Sequence, residues 1–446
     1  MSRRRNRKQM TGDRKQRTED RGQKEKRLFV WAEINLDNLR HNLRQIRKMI
    51  RQSGAGILAV VKADAYGHGM AAVAQTLFQE GVRFFGVASF EEALNLRKIC
   101  PAANILTLGS FHAEQAADYV RHKIRPTVSS VEDLSLFEKA VPLGRVCPSH
   151  VKIDTGMSRL GVWHGDALDL FKEIQGRKRV EIEGIYTHFS SADEKNDDFT
   201  RLQWHRFETV IEKLRAMNVH PRFVHAANSL ALTRFPMAHG DLVRPGIMLY
   251  GLNPWEGRRL PFRLKPVMSL KARISFLKNV PADRPLSYGR TYQTSGMTRI
   301  ATLPIGYSHG YRVGFSNKGF VLVKGKRCPV VGRVTMDQTL VDVSRVPGVR
   351  RWDTVTLLGR EGREEVSAEE MAQWLETIPY EIVTAIAARV PRLYRRPSVP
   401  MPAEPLHAKI ENVGSDFAQA VHQADLVFII TPCFGHGPMS EGCAAH

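Results

Sequence analysis

Eight short apolar runs, each followed by a stretch with helical spacing, constrain this chain more than any other feature. They fall at residues 57–61, 84–88, 105–108, 125–128, 150–153, 182–188, 222–225 and 242–247. Continuous apolar runs of this length read as strands buried on both faces, which is how parallel strands covered by helices look in sequence. Eight strand–helix units are what a (β/α)8 barrel requires. A doubly wound open sheet would also alternate, but no Gly-x-Gly-x-x-Gly follows the first run, so a dinucleotide site is not indicated. After about residue 262 the helical period stops. Short β-rich stretches at 267–276, 300–304, 320–323, 329–334, 340–343 and 354–358 are punctuated by Gly and Pro, and helical patterns return at 367–377 and 380–388. The expected architecture is α/β: a TIM-type (β/α)8 barrel over 28–262, then a mostly β C-terminal domain over 263–396. Ahead of the first run, residues 29–34 read as a strand, and Asp37 is the expected cap of a helix whose apolar face carries Leu39, Leu43, Ile46 and Ile50.

Composition narrows the class. The chain has 446 residues, 43% hydrophobic and 25% charged, ordinary for a globular protein with room for two cores. No apolar run reaches the ~18 residues of a membrane span, and the start lacks the apolar segment of a secretory signal. The five cysteines, Cys100, Cys147, Cys328, Cys433 and Cys443, are scattered without a Cys-x-x-Cys pair, so neither a disulfide framework nor a metal site is expected. Together these imply a reducing compartment, with a cytoplasmic protein without membrane contact as the expectation. The net charge of +21 raises the question of nucleic acid. Residues 1–27 hold twelve Lys/Arg against four Asp/Glu and contribute +8 of it; the remainder is spread over the body. No aromatic interleaving or nucleic-acid motif accompanies the charge, so a solvated basic surface is the expectation, with 1–27 a disordered basic tail. Residues 397–446 open with prolines at 397, 400, 402 and 405 and read as a stiff linker to an appended fragment of uncertain role.

The first apolar run ends in the stretch Val60-Val61-Lys62-Ala63-Asp64-Ala65-Tyr66-Gly67-His68-Gly69. A lysine at the carboxyl end of a buried parallel strand stands at the catalytic end of a barrel. Partial desolvation there would lower its pKa and free the amine as a nucleophile. Spacing alone suits a surface lysine capping a strand equally well.

The wording of this stretch resembles the pyridoxal phosphate (PLP) lysine motif of the alanine racemase family. The resemblance continues in order through Lys152-Ile-Asp-Thr-Gly-Met-Ser-Arg159-Leu-Gly, Tyr186-Thr-His188-Phe, His225-Ala-Ala-Asn228-Ser229, Val243-Arg244-Pro-Gly246-Ile247, Ser287-Tyr288-Gly-Arg290, Met336-Asp337-Gln and Arg389-Val-Pro-Arg392. It spans roughly 29–396, and eight motifs in register carry weight that no single one has.

The resemblance implies PLP as cofactor and a racemase that interconverts L- and D-alanine with two bases, supplying D-alanine for peptidoglycan. Lys62 would hold the cofactor and serve one face of the substrate, Tyr288 the other. A tyrosine of ordinary pKa ~10 is a poor base and needs neighbours; by resemblance these run from Tyr288 through His188 to Arg244, which faces the pyridine nitrogen. An arginine keeps its proton, so the ring nitrogen stays largely unprotonated and the carbanion short-lived. Tyr66, Ser229, Gly246 and Ile247 would hold the phosphate, with Asn228 beside them. Arg159 would contact the substrate carboxylate. Lys152 lies across the turn from it and, unmodified, would repel it; in many relatives that lysine is carbamylated. Met336, with Asp337 and Tyr307 in support, would line the substrate pocket from a partner subunit, which implies a homodimer with shared sites.

Other readings stay open on the residues alone. A methyl difference is worth only ~1–3 kcal/mol, so a racemase of serine or broader specificity fits. A decarboxylase of basic amino acids has a barrel and β domain but needs no second base like Tyr288. A PLP carrier resembles the barrel alone. Two positions depart from the family: His309 stands where an acid is common, and Ala388 where a tyrosine often touches the phosphate.

Overall fold

The computed structural model describes residues 27–175, 177–255 and 258–395. The basic tail, apart from Arg27, and the fragment expected over 397–446 lie outside the described residues.

Eight parallel strands form the barrel: Gly56–Val60, Phe84–Val87, Asn104–Thr107, Thr127–Val128, Cys147–Asp154, Val180–Tyr186, Phe223–His225 and Leu242–Val243. Two continuous ladders hold four strands each, the second with Val162–Trp163 added at Ile153–Asp154. Parallel bridges Leu106–Arg125 and Asn228–Arg244 join the ladders into a ring. The helices between the strands seal the outside. Phe90–Ile99 and Val131–Ala140 each start at a serine, Ser89 or Ser130, whose side chain accepts a backbone N–H of the first turn.

The helix expected to be capped by Asp37 is capped two residues earlier. It spans Leu36–Met49, and Asn35 Oδ1 accepts the N–H groups of Asp37 and Asn38. Asp37 falls in the first turn, where its charge suits the helix dipole. Leu39, Leu43 and Ile46 are buried as the period requires. On the same helix Asn42 is fully buried; its amide donates to Leu249 O and Lys265 O and accepts from Lys265 N, pinning the connection between barrel and second domain.

The second domain is built on a sheet with strand order Lys326–Pro329, Phe320–Val323, Thr354–Glu361, Met268–Arg273, Val30–Asn35, Arg392–Arg395, with Glu364–Val366 paired to Thr354–Glu361. The strand Val30–Asn35, which sequence order places with the barrel, lies here. It runs antiparallel to Met268–Arg273 and parallel to Arg392–Arg395. A separate antiparallel sheet holds Phe276–Val280, Thr298–Leu303 and Thr339–Asp342. The strand expected at 329–334 is displaced: the ladder runs Lys326–Pro329 and ends where Pro329 has no N–H, and Gly332 turns the chain at φ 74°. The late helices are shorter than expected, Ala368–Leu375 and Pro379–Thr384. Among the described residues no helix is long and apolar enough to cross a membrane.

Candidate active site

The strand Gly56–Val60 delivers Lys62 to the barrel mouth, and the backbone then does something the sequence does not announce. Ala63, Asp64, Ala65 and Tyr66 all take left-handed φ values of 51–55°. For L-residues this costs roughly 1–2 kcal/mol each, so neighbours must impose it. Glu92 accepts from Ala63 N at 2.6 Å and Ala88 N at 2.8 Å. Asp64 Oδ1 accepts from Met70 N at 2.7 Å. The His68 ring, fully buried, donates from Nδ1 toward Tyr66 O at 2.8 Å and Ala65 O at 3.1 Å. The turn places the Tyr66 ring 4.9 Å from that of Tyr250 and its hydroxyl against Gly246. A Cβ at 246 would lie 2.5 Å from that hydroxyl, so only glycine fits there.

These elements enclose a cavity of about 490 Å³. Lys62, Tyr66, Lys152, Arg159, His188, Asn228, Ser229, Arg244, Gly246 and Ile247 all line it. Ser229 Oγ accepts from Gly246 N at 2.8 Å, and Asn228 Oδ1 accepts from Leu230 N and Ala231 N. Arg159 is brought back toward Lys152 by a turn that Asp154 Oδ1 holds through Gly156 N and Ser158 N.

The lining carries four cationic side chains and no acid. Burial, with Arg159 nearby, lowers the Lys62 pKa, against a smaller opposing pull from Glu92. Burial and the charges of Arg159 and Arg244 bring Lys152 down to about 8. Arg244 is 3% exposed, and burial lowers it to about 10, leaving it protonated at neutral pH. Its guanidinium donates to Thr187 O at 2.7 Å, Ala226 O at 2.8 Å, His225 Nδ1 at 2.9 Å and His188 Nδ1 at 3.3 Å. Burial and Arg244 hold His188 and His225 well below the usual histidine range, so both rings are neutral. A cavity of this charge fits a ligand with a phosphate and a carboxylate, and an amine of lowered pKa at Lys62 fits a carbonyl. PLP with an amino acid meets both demands.

Four expected residues are elsewhere. Tyr288 is 71% exposed, Met336 54% and Tyr307 45%, and neither they nor Asp337 line the cavity of their own chain. Tyr307, Met336 and Asp337 are nevertheless knitted to one another. Ser308 Oγ lies 2.8 Å from both Asp337 Oδ1 and Met336 O, with one proton to give to either, and Tyr307 N donates to Thr335 O. His309, the departure in this segment, accepts from Gly306 N on Nδ1. Burial and Arg389 lower its pKa, so the position is neutral where an acid would be charged. Ala388, the second departure, is exposed and outside the cavity. Sequence reading missed Tyr380, whose ring lies 6.2 Å from that of Tyr66 and which lines the cavity; nothing in its helical context marks it. It also missed His150 and Glu183. His150 could have been suspected, since it lies two residues before Lys152 on a buried strand and so shares its face.

Comparison with known proteins decides the family. A profile described as "Alanine racemase, N-terminal domain" matches residues 34–254, and one described as "Alanine racemase, C-terminal domain" matches 267–394. This chain belongs to the alanine racemase family. The alanine racemase of Carboxydothermus hydrogenoformans is 45% identical over 369 residues, 82% of this chain and 99% of the relative. That of Halothermothrix orenii is 42% identical over 367 residues, 82% of this chain and 97% of the relative. Among solved structures, alanine racemase from Bacillus anthracis with bound L-Ala-P superposes with a TM-score of 0.78 at 37% identity, covering 82% and 95% of the two chains. Alanine racemase of Clostridium difficile in complex with cycloserine gives 0.75 at 36% identity, covering 82% and 96%. The (β/α)8 barrel followed by a mostly β domain is the architecture of this family.

Proposed function

We propose that the chain interconverts L- and D-alanine with PLP as cofactor, in a homodimer whose two sites each draw on both subunits. The observation that carries this is the pairing of an amine of lowered pKa, Lys62, with Lys152, Arg159 and Arg244 around a cavity that holds no acid. When bound, PLP would supply the electron sink that makes the α-hydrogen of an amino acid acidic. The protein's residues do the rest. Lys62 holds the cofactor and then carries a proton on one face. Tyr66, Ser229 and the Gly246 and Ile247 amides take the phosphate, with the Tyr380 hydroxyl on the same side of the cavity. Arg159 takes the substrate carboxylate. Lys152 beside it repels it while charged, and carbamylation of Lys152 would turn that repulsion into attraction.

Tyr288 serves the opposite face from the partner subunit, with Met336 narrowing the pocket to a methyl side chain. His188 accepts from Arg244 on Nδ1, so its own proton sits on Nε2. From there it can donate to the Tyr288 oxygen and stabilise the phenolate that acts as base. The 28–262 and 263–396 halves thus supply opposite faces of one site, the D-alanine would serve peptidoglycan synthesis, and the enzyme would work in the cytoplasm. The test is chiral analysis of products from single L-amino acids with PLP-loaded protein. An equal mixture of alanine enantiomers, formed faster than racemic serine from L-serine, is expected. No D-alanine from a PLP-loaded dimer would overturn the proposal.

A further inference from the structure

Beneath the cationic cavity a row of buried polar side chains descends the inside of the barrel. It starts at Arg244, whose guanidinium reaches His225 Nδ1 at 2.9 Å. His225 Nε2 lies 2.8 Å from His150 Nδ1. His150 Nε2 lies 3.5 Å from Glu183 Oε2, and Glu183 is closed by a two-pronged ion pair with Arg125. The strand register gives the direction. Tyr186 pairs with His225 and with Lys152 near the mouth, His150 pairs with Gly184 one step down, and Arg125 precedes the pair Thr127–His150.

The chemistry of the two ends fixes every proton between them. Arginine can only donate, so His225 Nδ1 must accept and its proton sits on Nε2. That proton goes to His150 Nδ1, which places the His150 proton on Nε2, 3.5 Å from a carboxylate that can only accept and short of a formed hydrogen bond. Burial opposes ionisation of Glu183, but His150 and Arg125 overcome it and hold its carboxyl down at about 2. Burial also lowers His150 against the pull of Glu183, so both rings stay neutral. The row cannot carry a proton to the cavity, because its head has no lone pair to receive one. It can hold a guanidinium in one plane. Its rings are clamped: Tyr186 stacks on His225 at 4.8 Å and 6°, and Phe223 lies 6.1 Å from His150 at 19°. The space for His150 exists only because residue 184 is glycine, since a Cβ there would lie 2.5 Å from His150 Nδ1.

We propose that Glu183, acting through His150 and His225, is a positioning residue for the racemisation chemistry: it anchors the hydrogen-bond row that holds Arg244 in place against the cofactor's ring. This rests on the PLP racemase reading above. Arg244 has backbone carbonyls and neutral histidines for partners, and the acid of this row is two rings away and already matched by Arg125. Its charge therefore remains directed at the cavity, where it keeps a ring nitrogen from taking a proton. Loosening the row lets Arg244 shift, the ring nitrogen gains proton affinity, and the carbanion lives longer. With PLP bound, more of it would take its proton on the cofactor's carbon instead of the substrate's, and water would then hydrolyse the C=N bond, leaving the amino group on the cofactor and releasing pyruvate.

The experiment compares wild type with Glu183→Gln and Glu183→Asp as PLP-loaded dimers, measuring kcat and KM for alanine and pyruvate released per racemisation. Loss of one buried polar contact to a charged group corresponds to about tenfold in rate. Glu183→Gln is expected to lower kcat by about that factor, leave KM within about twofold, and raise the pyruvate ratio several-fold. Glu183→Asp, which keeps the charge, should recover part of both. Should Glu183→Gln fail to fold, His150→Phe keeps the ring volume and the stacking on Phe223 and carries the same expectation. Wild-type kcat and an unchanged pyruvate ratio in the folded variant overturn the proposal. So does a fall in kcat with no change in that ratio, which marks a structural role only. Failure of wild type to racemise alanine would instead count against the function itself.

Discussion

Lys62 is the residue on which the chemistry turns, and its environment sets a pH signature. Burial and Arg159 lower its pKa, so the free amine is present at lower pH than for an exposed lysine. Capture of PLP by cofactor-free protein should accelerate as pH rises and level off below the ordinary lysine range, followed by the visible absorbance of the bound cofactor. Lys62→Ala should show neither that absorbance nor racemisation; more than a trace of activity would remove Lys62 from its role. Tyr288→Phe should stop racemisation in both directions yet let one enantiomer, D-alanine, exchange its α-hydrogen in deuterated water through Lys62. Exchange of both enantiomers, or of neither, contradicts the two-base assignment. Most of the cavity was legible in sequence because its residues sit in short fixed patterns where a strand ends. Glu183 and Tyr380 were not, because a lone acid in a strand and a tyrosine in a helix look the same whether they face solvent or a cavity.

The left-handed turn Ala63–Tyr66 is an element no propensity foretells. Gly67 and Gly69 advertise a break, but the four residues before the break are ordinary L-residues whose conformation is imposed by Glu92, Asp64 and His68. Ala63 is exposed and held at φ 53°. Ala63→Gly should therefore be neutral or stabilising, the relief of roughly 1 kcal/mol offsetting the added freedom of the unfolded chain. Gln75→Gly, on the exposed face in the middle of the helix Met70–Gln79, should cost about 1 kcal/mol. Thermal unfolding of the two variants checks the contrast, and equal losses would show that the turn is not strained. The barrel strands themselves were legible, because runs buried on both faces are apolar throughout. Partners were not: Val30–Asn35 reads plainly as a strand, yet nothing within six residues says that it joins segments more than 200 positions away.

At the scale of the whole molecule the telling fact is that Lys62 and Tyr288 do not meet within one chain. Two-fold pairing would let one contact complete both sites. Mixing inactive Lys62→Ala with inactive Tyr288→Phe protein and allowing exchange should put both lesions in one site of each mixed dimer and none in the other. Half the dimers are mixed, so about a quarter of wild-type activity should return. No recovery despite demonstrated exchange would rule out shared sites. The strand Val30–Asn35 bears on a different matter, the order in which the molecule can be made. It leaves the ribosome long before its neighbour Arg392–Arg395, with Trp31 and Ile34 destined for full burial. At ~5–20 residues per second that is a wait of roughly 20–70 s. The barrel can close during that interval, but the sheet cannot, so between the making of Met268–Arg273 and of Arg392–Arg395 the chain carries a finished barrel beside a half-paired apolar strand. A nascent chain stalled before residue 392 would keep that strand half paired however long it waited.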